Sequence, residues 1–498
     1  MNWEQTLPLL ILASSLLPGL VIFALPEDSR TLRTLFNIGG AIAKLGLVVW
    51  MIVQSRSGVH YEFRVALLPG LDLVLRSSEL ALFFVGLSSL LWLVTTVYAI
   101  GYLEGSPNRS RFFGFFSLCV TATVGVALAG NLLTFLAFYE MLTLATYPLV
   151  VHRGTGNARR AGRAYLAYTI CGGGLLTLGT LWLYSITGTL EFQPGGTVAP
   201  FVERHAAELT GVFVLLAAGM GVKAALVPLH GWLPRAMIAP APVSALLHAV
   251  AVVKVGAFGL VRVVFSVFGA DTAASLGLTS GLAMVAAVTV VYGSLRALAQ
   301  TNLKRLLAYS TVSQLAYIAL GISIGGVVAA TGGIVHLVNQ GLMKITLFFV
   351  AGNLAETLGV HEIRDMRGAG RRMPWSMAAF TVCAFGMIGT PPMAGFVTKW
   401  YLGLGAMDSD AEWVVWLLIG SGLLNAAYFL PVLRLAWFES APATWPRERS
   451  YGAAETSLML LVPTLFTALA ALAVGLFASL PYSPLEWARV IAQRQFAP

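Results

Sequence analysis

Residues 217–234 read AAGMGVKAALVPLHGWLP. The apolar residues 209–218 ahead of this stretch are long enough to be the first half of a membrane helix. Lys223 then appears with no carboxylate beside it. Gly219 and Gly221 precede it and Pro228 follows. Glycine and proline loosen a helical ladder, and such a break survives in a bilayer only inside protein or beside a wet cavity. A charge at mid-membrane costs about 2.5 kcal/mol or more even on the gentlest scale. Apolar sequence continues on both sides of Lys223, which argues against a lysine snorkelling to the interface. The stretch therefore predicts a broken membrane helix carrying a buried ammonium.

The composition agrees. Of 498 residues, 57% are hydrophobic and 11% are charged, against about 25% charged in soluble proteins. The chain reads as an all-α polytopic membrane protein. Fourteen apolar runs are candidate transmembrane helices, at 7–25, 32–53, 78–100, 112–129, 131–151, 163–186, 208–230, 241–268, 274–296, 306–325, 328–352, 375–402, 412–438 and 456–480. Residues 54–77 form a longer loop, where Tyr61-Glu62-Phe63-Arg64 alternates weakly, as a hairpin would. Nineteen Lys and Arg residues lie in loops after odd-numbered helices, and six lie in the other loops and the tails. Basic loops face the cytoplasm, so both termini are predicted outside a bacterial cytoplasmic (inner) membrane. The net charge of +9 is thus a topology signal and not a sign of nucleic acid. The first 25 residues lack a basic start and read as a first membrane helix, not a cleaved signal.

The three cysteines, Cys119, Cys171 and Cys383, lie far apart in apolar runs. There is no Cys-x-x-Cys, no phosphate-binding glycine loop and no His-Glu-x-x-His, so the sequence predicts no cofactor and no metal site of its own.

The chemistry then rests on charges inside the spans. Glu140, in Phe138-Tyr139-Glu140-Met141, must either protonate or find a cation, and Lys223 is the natural partner. Lys254 lies mid-way along the eighth helix. His248, six residues earlier, points to a different side of a regular helix and is a possible relay. In the eleventh span His336, Gln340 and Lys344 recur every four residues, a polar stripe along one face that must meet protein or water. The twelfth span repeats the Gly/Pro break at residues 386–395, GMIGTPPMAG, with Lys399 behind it. Two interrupted segments at corresponding places point to an inverted-repeat transporter. The predicted organisation is residues 1–105 (helices 1–3), 106–270 (helices 4–8, a first five-helix repeat), 271–440 (helices 9–13, its inverted counterpart) and 441–498 (helix 14 and tail). Lys44, on a peripheral early helix, and Arg262, near a helix end, read as the least functional of the buried cations. Burial disfavours an ammonium and a nearby carboxylate restores it. Moving one charge along Glu140, Lys223, Lys254, Lys344 and Lys399 therefore changes the next group's proton affinity, as a proton wire requires.

Several long stretches, taken in order, resemble one known family. They are residues 223–234 (KAALVPLHGWLP), 239–248 (APAPVSALLH), 254–256 (KVG), 302–310 (NLKRLLAYS) and 389–399 (GTPPMAGFVTK). They are similar to the antiporter-like proton-translocating subunits of respiratory complex I, Mrp-type cation/proton antiporters and membrane-bound energy-converting hydrogenases. The resemblance covers roughly residues 80–440. It implies fourteen helices, two inverted five-helix repeats and broken helices 7 and 12. By motif, Glu140 and Lys223 resemble the family's glutamate–lysine pair, Lys254 its central lysine and Lys399 the charge of broken helix 12. Lys344 and His336 resemble the residues connecting two half-channels. Lysine at 399 differs from the complex I subunit type that has glutamate there, and the overall length resembles the Mrp D subunit. The resemblance implies a proton-translocating subunit of an Mrp-type multisubunit monovalent cation (sodium)/proton antiporter. The alternative is a proton-pumping subunit of a complex I-like or hydrogenase assembly. Implied partners are other membrane subunits, the bilayer, and protons with sodium or potassium.

Overall fold

A computed structural model of the chain describes residues 3–68, 70–452 and 454–496. Backbone polar groups in a bilayer core must be satisfied within the segment itself, and the apolar runs accordingly fold as helices. In order these are α1 Trp3–Ala24, α2 Arg30–Arg56, α3 Glu79–Tyr102, α4 Arg109–Leu128, α5 Leu132–Val150, α6 Gly156–Thr187 and α7 Val202–Ala224. There follow α8 Ala241–Phe268, α9 Leu278–Leu298, α10 Leu303–Ser323 and α11 Val327–Leu358. The twelfth span comes in two halves, α12a Pro374–Ile388 and α12b Ala394–Asp408, and is followed by α13 Trp413–Phe438 and α14 Leu458–Leu476. Thirteen helices among the described residues are each long and apolar enough to cross a membrane. The divided α12 makes the fourteenth span.

Both expected breaks are present. α7 ends at Ala224, one residue after Lys223, and Ala225 takes a left-handed conformation (φ 57°). The Trp232 indole then donates to the Val222 carbonyl at 2.7 Å, which closes the turn. In α12 the left-handed Gly389 (φ 93°) ends the first half, a conformation that only glycine adopts without strain. α8 carries an irregularity the sequence did not announce. It passes through π-helical turns at Leu246–Val250 and Val263–Phe268, with a kink at Ala251 between the first of these and the next helical segment.

The 54–77 loop does form a hairpin, β1 Glu62–Leu68 against β2 Leu71–Arg76, with Glu62 opposite Arg76. Arg64 and Arg76 bridge Glu62, Asp72 and Glu191 over it. An amphipathic helix, α15 Pro484–Gln495, was not expected in the tail. It lies at the same face, where Trp487 donates to Glu79 at the start of α3 (3.0 Å) and Arg56 at the end of α2 stacks over Tyr482.

The central apolar stretches of α8 and α11 are wholly buried and form the centre, whereas those of α1, α2, α13 and α14 are only about a third buried. Their outward sides expose Leu35, Ile42, Trp416, Leu423 and Leu469, an apolar belt suited to lipid. One local arrangement occurs twice. Asn131 caps α5 and bridges Glu191, and Asn302 caps α10 and bridges Glu362, sixty residues apart in each case. The Asn131 amide also donates to Asp72 in the hairpin. Asn302 instead lines a cavity with Asn157 and Arg160 at the start of α6, on the opposite face.

Candidate functional site

Lys223, Lys254 and Lys344 are fully buried, and Lys399 is half-buried. Each ammonium has one hydrogen-bond partner among the described residues, and in every case it is a backbone carbonyl. Lys223 donates to Tyr139 on α5. Lys254 donates to Leu337 on α11 at 2.7 Å, and Lys344 to Leu307 on α10 at 3.2 Å. Lys399 donates to Ile388, the last residue of α12a, at 2.6 Å, and so sits at the negative end of that half-helix. An ammonium has three N–H donors, so each of these lysines keeps donor capacity beyond its anchor.

The structure differs from the sequence in how it places Glu140. No Glu140–Lys223 ion pair forms. Tyr139, next to Glu140 on α5, turns toward α7, where its hydroxyl donates to Gly219 O at 2.7 Å and its ring lies 3.3 Å beneath the Lys223 ammonium. Glu140 is rotated one residue on, toward α6, and its carboxylate fills the space left by Gly173. Its buried Oε1 has no hydrogen-bond partner. Glu140 and Lys223 are neighbours across Tyr139, not a closed salt bridge.

At the centre, the π-helical turn and the kink at Ala251 change the relation between His248 and Lys254. A regular helix would point them to different sides. Here both meet α11, with the His248 ring 4.5 Å from that of Phe348 and Lys254 on the Leu337 carbonyl. Neither ring nitrogen of His248 has a protein partner. The α11 stripe forms as expected. His336 Nδ1 shares the Thr398 hydroxyl (3.0 Å) with the Asn339 amide (3.0 Å), which also donates to Ala394 O at 2.8 Å. Gln340, between His336 and Lys344, is fully buried with both amide atoms unpaired. Tyr317 links the stripe to α12, since its ring lies 5.3 Å from His336 and 5.9 Å from the Lys399 ammonium. From Tyr317 a polar cluster continues through Ser421 (2.6 Å), and beside it Tyr428 pairs with Ser310 and Asn425.

Tyr139, Thr398 and Tyr317 were not singled out from sequence. An aromatic residue directly before an intramembrane glutamate was the available signal for Tyr139. Thr398 stands next to Lys399 and carried no signal of its own. Lys44 and Arg262 are also more buried than their positions suggested. Arg262 is held by the Ser78 hydroxyl at 2.9 Å and by the rings of Phe192 and Phe258.

This row of lysines on carbonyl anchors, with one at each of two broken helices, accompanies a match to a known family model. The model, described as "NADH:quinone oxidoreductase/Mrp antiporter, TM", matches residues 129–424. The chain belongs to this family. A NADH-quinone oxidoreductase subunit N from Desulforudis audaxviator (strain MP104C) is 35% identical over 95% of the chain and 96% of that protein. A probable K(+)/H(+) antiporter subunit from Rhizobium meliloti (strain 1021) is 30% identical over 95% of the chain, which spans about half (47%) of that relative's length. The fold matches a chain of the Mrp complex from Dietzia sp. DQ12-45-1b with a TM-score of 0.87 at 23% identity, covering 100% of this chain and 98% of that one. Family members thus occur under both antiporter and quinone-oxidoreductase names.

Proposed function

We propose that the chain is a proton-translocating, antiporter-like membrane subunit of an Mrp-type multisubunit monovalent cation (sodium)/proton antiporter. The observation that carries this is the set of four intramembrane lysines, three fully buried and Lys399 half-buried, each held by a carbonyl and none by a carboxylate among the described residues. A lysine locked in a salt bridge is a structural element, whereas one on a neutral anchor can change protonation without leaving an opposite charge stranded. In this reading Glu140 and Lys223 are the proton-transfer pair of the first half. Lys254 joins the halves with His248 as relay. Lys344 and His336 carry the proton along α11, and Lys399 serves the second break. Residues 106–270 and 271–440 are inverted five-helix repeats, a division supported by the Asn131–Glu191 and Asn302–Glu362 arrangements on opposite faces. The chain resides in a bacterial inner membrane with both termini outside, among other membrane subunits.

A second reading is a proton-pumping subunit of a complex I-like assembly, with electrons handled by partner subunits. The near full-length identity to a subunit N favours it. Co-purification with flavin or iron–sulfur subunits would select this reading, and small antiporter-type membrane subunits the first. Both share one test. Lys223→Ala and Glu140→Ala should each abolish proton flux in vesicles containing the assembled complex, and unchanged flux in both would overturn the proton-carrying role.

A further inference from the structure

Lys44 lies outside the row, yet it is fully buried. α2 turns Arg33, Asn37 and Lys44 to the interior. Their spacing of four and seven residues places them on one face. The Lys44 ammonium donates to the Ser15 hydroxyl of α1 at 2.5 Å. Ser15 pairs with the Thr121 hydroxyl of α4 at 2.7 Å, and Thr121 donates to Ser117 O at 3.0 Å. The Trp92 ring of α3 stands 5.1 Å from the ammonium.

No charged group faces Lys44 from the three helices around it. Their titratable residues are elsewhere. Glu4, Glu79, Arg109 and Arg111 occupy the first turns of α1, α3 and α4. Tyr98 bonds to α11, and Tyr102, four residues on, stacks against it near the end of α3. Cys119 is two residues from both Ser117 and Thr121, hence on the other side of α4, 3.5 Å from Thr146 of α5.

The surroundings are polar. Both Asn37 amide atoms, the Trp92 indole nitrogen and the Ser117 hydroxyl are buried without a protein partner. Buried polar groups ordinarily have partners, so the stripe holds unused donor and acceptor capacity. At its other end the stripe meets Arg33, which is itself buried. The Arg33 guanidinium bonds Ser110 (2.8 Å) and Glu27 O (2.9 Å), and the Glu27 carboxylate accepts from the Arg109 and Ser110 amides. From Arg33 to Lys44 the helix rises about 16 Å.

We propose that Lys44 is a further protonatable station, on the stripe that runs to Arg33, whose charge acts across α4 on the Lys223 site. Loading adds one proton from water to the Nζ amine, and release returns it to water. No other bond changes. α4 is suited to transmit this charge because Thr121 on one face pairs with the Ser15 hydroxyl that holds Lys44, and Cys119 on the opposite face meets Thr146 of α5, the helix that carries Tyr139 and Glu140. The inference rests on the proton-carrying reading of Lys223.

The test measures proton flux against pH in vesicles containing the whole assembly. Lys44→Met removes the station, and Lys44→Arg keeps a charge that cannot be released. Both should lower flux at least threefold and flatten its pH profile, with assembly unchanged. A Ser15→Ala/Thr121→Val double variant leaves Lys44 in place but removes its hydroxyls, and should displace the same profile. Wild-type flux and profile in Lys44→Met, or in Lys44→Arg, overturn the proposal. If Lys44→Met does not assemble, an unchanged profile in the double variant overturns it. Lys223→Ala in parallel separates the two readings. If that variant retains flux, the row itself fails. If it abolishes flux while Lys44→Met is silent, only the Lys44 station fails.

Discussion

Gly173→Ala perturbs the glutamate–lysine neighbourhood without removing any titratable group. A Cβ at residue 173 would stand 2.7 Å from the Glu140 carboxyl carbon and 3.1 Å from Oε2, with Oε1 closer still. Ordinary contact begins near ~3.5 Å, so the carboxylate must retreat by an ångström or more. The fold tolerates this, because the displaced atoms end a flexible side chain and Gly→Ala in a helix gains up to ~1 kcal/mol. The electrostatics do change. With an effective dielectric of about 20, unit charges ~6 Å apart attract by ~2.8 kcal/mol, and a change in separation of about 1 Å alters this by roughly 0.4–0.6 kcal/mol. That is a two- to threefold change in proton occupancy, at about 1.4 kcal/mol per factor of ten. Flux in inverted vesicles, normalised to assembled complex, should therefore change about two- to threefold. Gly174→Ala is the control, since nothing lies within 4 Å of its Cβ position, and it should match wild type. Wild-type flux in Gly173→Ala, or an equal change in Gly174→Ala, would refute the reasoning.

Other outcomes follow from single contacts. Thr398→Val keeps the shape of the side chain but removes the hydroxyl shared by His336 and Asn339. It should slow flux and cost about 1–3 kcal/mol of stability, read by thermal unfolding of the purified complex. Glu455 caps α12a from a distance, accepting from the Trp375 and Ser376 amides and the Ser376 hydroxyl. Glu455→Ala should destabilise by about 1–2 kcal/mol while leaving flux per assembled complex unchanged. His152, in the turn after α5, has its pKa pushed down to about 4 by burial first and then by Arg111 and Arg153. The unfolded chain takes up this proton near pH 6.5 and the folded chain only near 4, so stability is lost as pH falls through that window. His152→Phe should lose less thermal stability between those two pH values than the wild type does.

A bilayer makes much of this fold legible. Apolar runs had to be helices, and a lysine inside one had to mark a break or a stripe, which is why both broken spans and the row itself could be read from the residues alone. What stayed hidden depends on which way a face turns. Glu140 and Tyr139 differ by one residue, about 100° around a helix, and that rotation decides which of them meets Lys223. The π-helical turn that brings His248 and Lys254 onto α11 has no signature in a uniformly apolar segment. Lys44 read as peripheral because its helix is peripheral, whereas its own face is not. Thr398 and Tyr317 are ordinary residues in composition and acquire a role only from the packing of α10, α11 and α12b.

The account's central claim is that the buried lysines carry protons and do not merely hold the bundle together. Lys254 tests this most directly, since among the described residues its one partner is the Leu337 carbonyl and no ion pair is broken by removing it. Methionine keeps most of the side chain's length, and no opposite charge is left stranded by the change. Proton flux through vesicles carrying Lys254→Met should be abolished at normal assembly. Wild-type flux through the assembled Lys254→Met complex would contradict the claim.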